Sequence, residues 1–177
     1  MTSPNIHVDL SDLALRPGER YERAFALDVA PILLGGERYQ VLVPEGVTLV
    51  VDRVAGGYLV NVSADGTVYG PCARCLREAV LPLRAKEQEF VPTSKDGWDE
   101  ADLSAFVKEM VVDVSGLARE AIVLAIPSRI VCNEACLGLC PECGRDRNQG
   151  PCACPAPGPD DRWAKLKDFA GDNLPSP

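Results

Sequence analysis

The chain has 177 residues, a formal net charge of −8, a hydrophobic fraction of 46% and a mean hydropathy of −0.02. This balance fits a globular chain with a core of its own, and it excludes a protein that grips nucleic acid by bulk positive charge. The longest apolar run, residues 121–126, is far shorter than the roughly 18 residues of a membrane span, so no membrane partner is expected.

Taken in order, residues 6–10 alternate and read as a short first strand. Arg16-Pro17-Gly18-Glu19 is a turn signal, and alternation resumes with Tyr21, Arg23, Phe25, Leu27 and Val29 on one side. Pro31 and Gly35-Gly36 punctuate it, and residues 47–54 are rich in β-branched side chains. Gly56-Gly57 and Asp65-Gly66 suit tight hairpin turns leading into strands at 58–63 and 67–69. Residues 79–91 are again extended, with Pro82 marking an edge strand or a bulge. Residues 93–102 are polar and acidic and read as an exposed loop, whose Trp98 either folds back on the sheet, the favoured reading, or meets a partner.

Residues 105–112 suit either strand or helix, whereas residues 115–126 read as a helix. Ser115 would cap it, Leu117, Ala121, Leu124 and Ala125 would form its apolar stripe, and Pro127 would end it. Beyond the proline-rich 155–159 stretch, residues 160–169 suit a short terminal helix capped by Asp160 or Asp161. Trp163, Leu166 and Ala170 would share one of its faces. The expected fold class is α+β: a mainly antiparallel β meander or partly closed barrel with one packed core helix. A small C-terminal Cys-rich zinc module and a short terminal helix follow it. The expected divisions are a β-rich domain over 1–128, the Cys-rich module over 129–155, and linker plus helix over 156–177.

Charge is uneven along the chain. Residues 72–86 hold Arg74, Arg77, Arg84 and Lys86 against Glu78, a local +3. Residues 87–113 hold eight acids against Lys95 and Lys108, a local −6. Such runs are ordinarily solvated faces, and the basic one is at most a local footprint for RNA backbone.

Six of the eight cysteines fall between Cys132 and Cys154. Cys140-Pro141-Glu142-Cys143-Gly144 is a metal knuckle: two thiolates two residues apart face one ion, and Gly144 lets the backbone curl back. Tetrahedral zinc takes four sulfurs at about 2.3 Å, and structural sites fill all four positions with protein ligands. Cys152-Ala153-Cys154 is the natural second pair, giving Cys140, Cys143, Cys152 and Cys154 as the zinc ligands. Cys132 and Cys136 compete for the last two places. Only Val131, Leu137 and Leu139 offer apolar support nearby, so structural zinc would supply the order of this module. An even cysteine count also suits a disulfide scaffold. However, the N-terminal residues lack the basic start and apolar stretch of a secretory leader, which favours a reducing cytoplasm and metal.

Cys72-Ala73-Arg74-Cys75 has three readings: half of a second metal site, a redox pair, or two buried small hydrophobes. The redox reading lacks the strand-to-helix context it needs. Arg74 would lower the neighbouring thiol pKa values, and Cys72, Arg74, Cys75 and Arg77 together are a candidate contact for RNA or a partner. The one histidine, His7, and the lack of a P-loop, GxGxxG or GxSxG leave no enzyme and no small-molecule substrate in view.

Several stretches together resemble one family. Cys72-Ala-Arg-Cys-Leu76 is similar to its C-x-R-C-L element, and residues 113–127 to its helix ending in Leu-Ala-Ile-Pro127. Residues 132–154, with Gly138-Leu139 and Asn148, are similar to its GLCP-x-CG tail, and Asp161-Arg-Trp-Ala-Lys-Leu166 to its DPRW-x-x-L ending without the proline. This is the YceD family, the large ribosomal RNA subunit accumulation proteins. The resemblance implies a bacterial, cytoplasmic, non-enzymatic factor in ribosome biogenesis. Its partner would be large-subunit rRNA or a pre-ribosomal particle, or else a ribosomal or assembly protein without direct RNA contact. It also implies that the shared function lies nearer residues 72–76 than the tail.

Overall fold

The computed structural model describes residues 5–94 and 96–155, so the expected terminal helix at 160–169 lies outside the described residues. The chain divides into two compact units, residues 1–138 and 139–177; residues 129–138 belong to the first.

The first unit contains strands β1 (His7–Asp9), β2 (Arg20–Phe25), β3 (Ile32–Leu34), β4 (Glu37–Leu42), β5 (Val47–Val54), β6 (Gly57–Pro71) and β7 (Glu78–Pro92). Two short strands, β8 (Val107–Lys108) and β9 (Val111–Asp113), lead into helix α1 (Val114–Ala125). The long strand β6 organises the larger sheet. β7 pairs with it along its whole length, from Gly57 opposite Pro92 to Pro71 opposite Glu78. β5 and β4 share its other edge in tandem, with Thr48 opposite Ser63 and Leu42 opposite Thr67. β2 pairs with β5, and β3 with β4.

Neither outer strand, β2 nor β3, pairs with β7, so the sheet is open and the partly closed barrel is corrected. Closure would need the first and last strands to meet. Here β1, β9 and β8 form a separate three-stranded sheet instead. β7 is the edge strand that Pro82 signalled. The ambiguous 105–112 stretch is the β8–β9 hairpin, which turns through Glu109 and Met110 at φ 49° and 68°.

The expected turn at Asp65-Gly66 is also corrected, since both residues lie inside β6. A Cβ on Gly66 would meet the Leu42 carbonyl oxygen, so this glycine permits the close approach of β4. A dipeptide cannot distinguish that need from a turn. Gly35-Gly36 does form a two-residue hairpin turn, at φ 59° and 87°.

One face of the sheet is the core. Val60, Val62 and Val68 of β6 and Val47, Leu49 and Val51 of β5 are at most 2% exposed, and Leu83, Ala85 and Val91 of β7 lie on the same face. α1 packs against β6 and β7 through Val114, Leu117, Ala118, Ala121 and Ile122. The stripe read from sequence is therefore rotated: Leu117 and Ala121 belong to it, but Leu124 is 65% exposed. Trp98 stacks on Phe90 with ring centroids 5.6 Å apart, as the folded-back reading expects.

The helix cap lies two residues before the expected one. Asp113, not Ser115, accepts the Gly116 amide at 2.9 Å, while the Ser115 hydroxyl accepts the Ile6 amide at 2.9 Å. Ile126 is extended at ψ 124°, the conformation a following proline imposes. Asp113→Ala is expected to cost about 1 kcal/mol, read as a lower urea midpoint with unchanged slope.

Candidate metal centres

The eight cysteines are free thiols gathered into two groups of four. Cys72, Cys75, Cys132 and Cys136 converge in the first unit; Cys140, Cys143, Cys152 and Cys154 converge in the second. Within each group all four sulfurs lie within 4.8 Å of one another. Cys132 and Cys136 thus stand with the C-x-R-C element and not with the tail knuckle. The sequence held one arithmetic signal of this. Once 152 and 154 join the knuckle, four cysteines remain as two close pairs.

Both knuckles have the same backbone construction. In the tail, the Cys140 amide donates to the Arg145 carbonyl at 2.8 Å and the Gly144 amide to the Cys140 carbonyl at 2.9 Å, with Gly144 at φ 71°. In the first unit, the Cys72 amide donates to the Arg77 carbonyl at 2.7 Å and the Leu76 amide to the Cys72 carbonyl at 2.9 Å. Leu76 fills the left-handed position at φ 60° that glycine fills in the tail. That conformation costs a non-glycine residue roughly 1–2 kcal/mol, and Leu76, 63% exposed, gains little burial in return. Leu76→Gly is expected to raise stability by about 0.5–1 kcal/mol, less than the full strain because glycine frees the unfolded chain. Chemical denaturation of the two proteins side by side checks the sign.

The first knuckle is the loop that closes the β6–β7 hairpin, and it is fastened to the segment after α1. The Ala73 amide donates to the Ile130 carbonyl at 2.8 Å, and Arg74 Nη1 donates to the carbonyls of Glu134 and Cys136, both at 2.9 Å. Arg74 is therefore engaged in holding the loop that carries Cys136. Cys72 and Cys75 are buried, while Arg77 is exposed on the same loop. Further along β7, Arg84 lies 3.9 Å from Asp65, with both side chains largely solvated.

In each group one thiol ionises readily and another resists. Burial works to raise Cys72, yet the amides of Arg74, Cys132 and Cys75 at its sulfur prevail and hold it at about 6. Cys132 is pushed up to about 12, by burial first and then by its hydrogen bonds to the neighbouring thiols. In the tail, the amides of Cys143 and Glu142 hold Cys140 at about 6. Cys154 is pushed up to about 12, chiefly by its hydrogen bond with Cys143. One negative charge is accommodated in each group, and a further one on Cys132 or Cys154 is opposed by the thiols around it. A divalent cation reverses that opposition, because it deprotonates every thiol it binds.

The tail frame is completed locally. Leu139 bridges to Asp146, whose carboxylate accepts the Asn148 amide at 2.9 Å and the Asn148 side-chain nitrogen at 2.6 Å. This bond network brings the chain back toward Cys152 and explains the Asn148 of the motif. Both sulfur groups can hold a metal ion, and their all-sulfur donor sets suit zinc. Catalytic zinc keeps an open position and commonly uses histidine or carboxylate ligands; neither group contains one.

The fold and these clusters define a class: an open antiparallel sheet with a packed helix, carrying two four-thiol clusters that could each hold a metal ion. The chain belongs to the YceD family, whose profile, described as "Large ribosomal RNA subunit accumulation protein YceD", matches residues 60–170. The match includes all eight cysteines. The chain is also similar to uncharacterized proteins Mb2951c of Mycobacterium bovis and MT2996 and Rv2926c of Mycobacterium tuberculosis. Each is 30% identical over 180 residues, covering 93% of this chain and 81% of the relative. No solved structure matches the chain. Among the described residues, no helix is long and apolar enough to cross a membrane.

Proposed function

We propose that this protein is a non-enzymatic factor in large-subunit ribosome biogenesis, acting in the cytoplasm by binding a pre-ribosomal particle. Zinc on Cys140, Cys143, Cys152 and Cys154 gives its tail a fixed surface. The observation that carries the reading is the family match over residues 60–170, which spans the first knuckle, the helix and the tail. Depletion should lower large-subunit rRNA relative to small-subunit rRNA, and the tagged protein should co-sediment with large-subunit precursors. Equal levels of both rRNAs after depletion would remove the reading.

A ribosomal or assembly protein is a second candidate for the direct contact. It is favoured by the net charge of −8 and by Arg74, whose guanidinium donates to two of the protein's own carbonyls. Cys72 and Cys75 would then position the loop, and Arg77 would make the contact. Salt dependence separates the alternatives. Single-stranded RNA contacts give a log–log slope of about −0.7 per phosphate, and Arg77→Ala would flatten it by roughly that amount if Arg77 meets a phosphate. A shallow slope that Arg77→Ala leaves unchanged is the result expected for a protein partner.

A further inference from the structure

We propose that Cys72, Cys75, Cys132 and Cys136 form a second, independent zinc centre that belongs to the β-sheet unit. Its sulfurs are spaced for a metal. Cys72 and Cys136 Sγ are 3.9 Å apart, and Cys75 and Cys132 Sγ are 3.7 Å apart. A tetrahedron with metal–sulfur bonds of about 2.3 Å has edges of about 3.8 Å. A disulfide would require about 2.05 Å.

The simplest competing account is four small side chains filling a core. Two observations count against it. Hydrophobic packing needs no particular backbone, yet residues 72–77 reproduce both hydrogen bonds of the tail knuckle and its left-handed fifth residue, with a leucine where glycine is at ease. Polar hydrogens are also aimed at the sulfurs. The Arg74 amide lies 3.4 Å from Cys72 Sγ, and the Asn133 side-chain nitrogen lies 3.8 Å from Cys132 Sγ. Such outer contacts orient thiolate ligands and temper their charge.

The two centres differ in shielding. Three of the four ligands in the sheet unit are buried, and Cys132 is partly so. In the tail only Cys140 is buried, and Cys143 is exposed. The sheet-unit zinc is therefore the slowly exchanging one. Its ligands are 57 and 64 residues apart across the hairpin loop and the post-helix segment, so it ties together parts of the chain that no disulfide joins.

The test uses the full chain purified under reducing conditions. Elemental analysis should find two zinc ions per chain. Cobalt(II) replacing them should produce the thiolate-to-metal charge-transfer and tetrahedral d–d bands in two equivalents. Cys143→Ser should remove one equivalent and leave the other. Cys75→Ser should remove one equivalent and leave the tail equivalent; if that variant fails to fold, the cobalt remaining in Cys143→Ser still decides the matter. One equivalent in the unaltered chain, with none left in Cys143→Ser, would overturn the proposal. So would a Cys75→Ser protein that keeps two.

Discussion

Stripping metal from the reduced protein with a strong chelator is expected to release the ordered structure of residues 139–155. The reason is how little other stability the described residues of this stretch supply. Cys140 is the one buried residue of that stretch, and Leu139 is its one aliphatic side chain larger than alanine or proline. Burying a leucine completely supplies about 1.5–3 kcal/mol, whereas zinc gives comparable peptides an apparent ~10–16 kcal/mol at neutral pH. No rearrangement of the apolar groups can replace such a loss. Amide exchange or limited proteolysis over these residues, before and after chelation, provides the measurement. A metal-free tail with unchanged protection would show that the hydrogen bonds around Asp146 suffice. Cys143→Ser should imitate the chelator locally, since it removes the most accessible ligand.

Leu117→Ala is expected to destabilise the first unit by about 2–5 kcal/mol, much of what a small domain has. Leu117 is completely buried where α1 meets the sheet, so its loss leaves a cavity that a twelve-residue helix resting on a rigid sheet cannot close. Leu124→Ala, on the same helix but 65% exposed, should stay within about 0.5 kcal/mol. Urea titrations of both variants compare the two faces directly. Equal losses would mean that the helix packs in a different rotation.

That comparison also shows where the sequence was informative. Strands β1, β2, β5 and β7 follow from alternation and β-branched content, most clearly β5 and β7, whose buried residues fall on alternate positions. The rotation of α1 was less accessible. Val114 and Ile122 complete the buried face, and a cap at Ser115 lies two residues beyond the observed one at Asp113. Asp113 won because its carboxylate reaches the Gly116 amide, while the Ser115 hydroxyl accepts the Ile6 amide, more than a hundred residues earlier. The tail cysteines could be grouped because glycine marks their knuckle. Cys72 and Cys75 were legible as half of a second metal site, but only as one of three readings, since a left-handed Leu76 leaves no compositional trace of a knuckle. The grouping of Cys132 with Cys75 is a long-range contact, and such contacts are invisible to local pattern. Gly66 misled for a related reason: its purpose is set by a neighbour more than twenty positions away.

The unbroken pairing of β6 with β7 has a consequence for how the chain finds its fold. A slide by one residue would turn every core valine toward water, but a slide by two preserves the faces and is not forbidden by hydrophobicity. Gly70, which leaves room for the Tyr39 ring, fixes β4 against β6 and not this pair. One feature marks the correct alignment of β6 with β7. At the hairpin tip, the Cys72 amide meets the Arg77 carbonyl only when the ladder has its native phase. A cation captured there would act as an index pin, admitting one alignment of the two long strands and leaving the near-miss without a clasp.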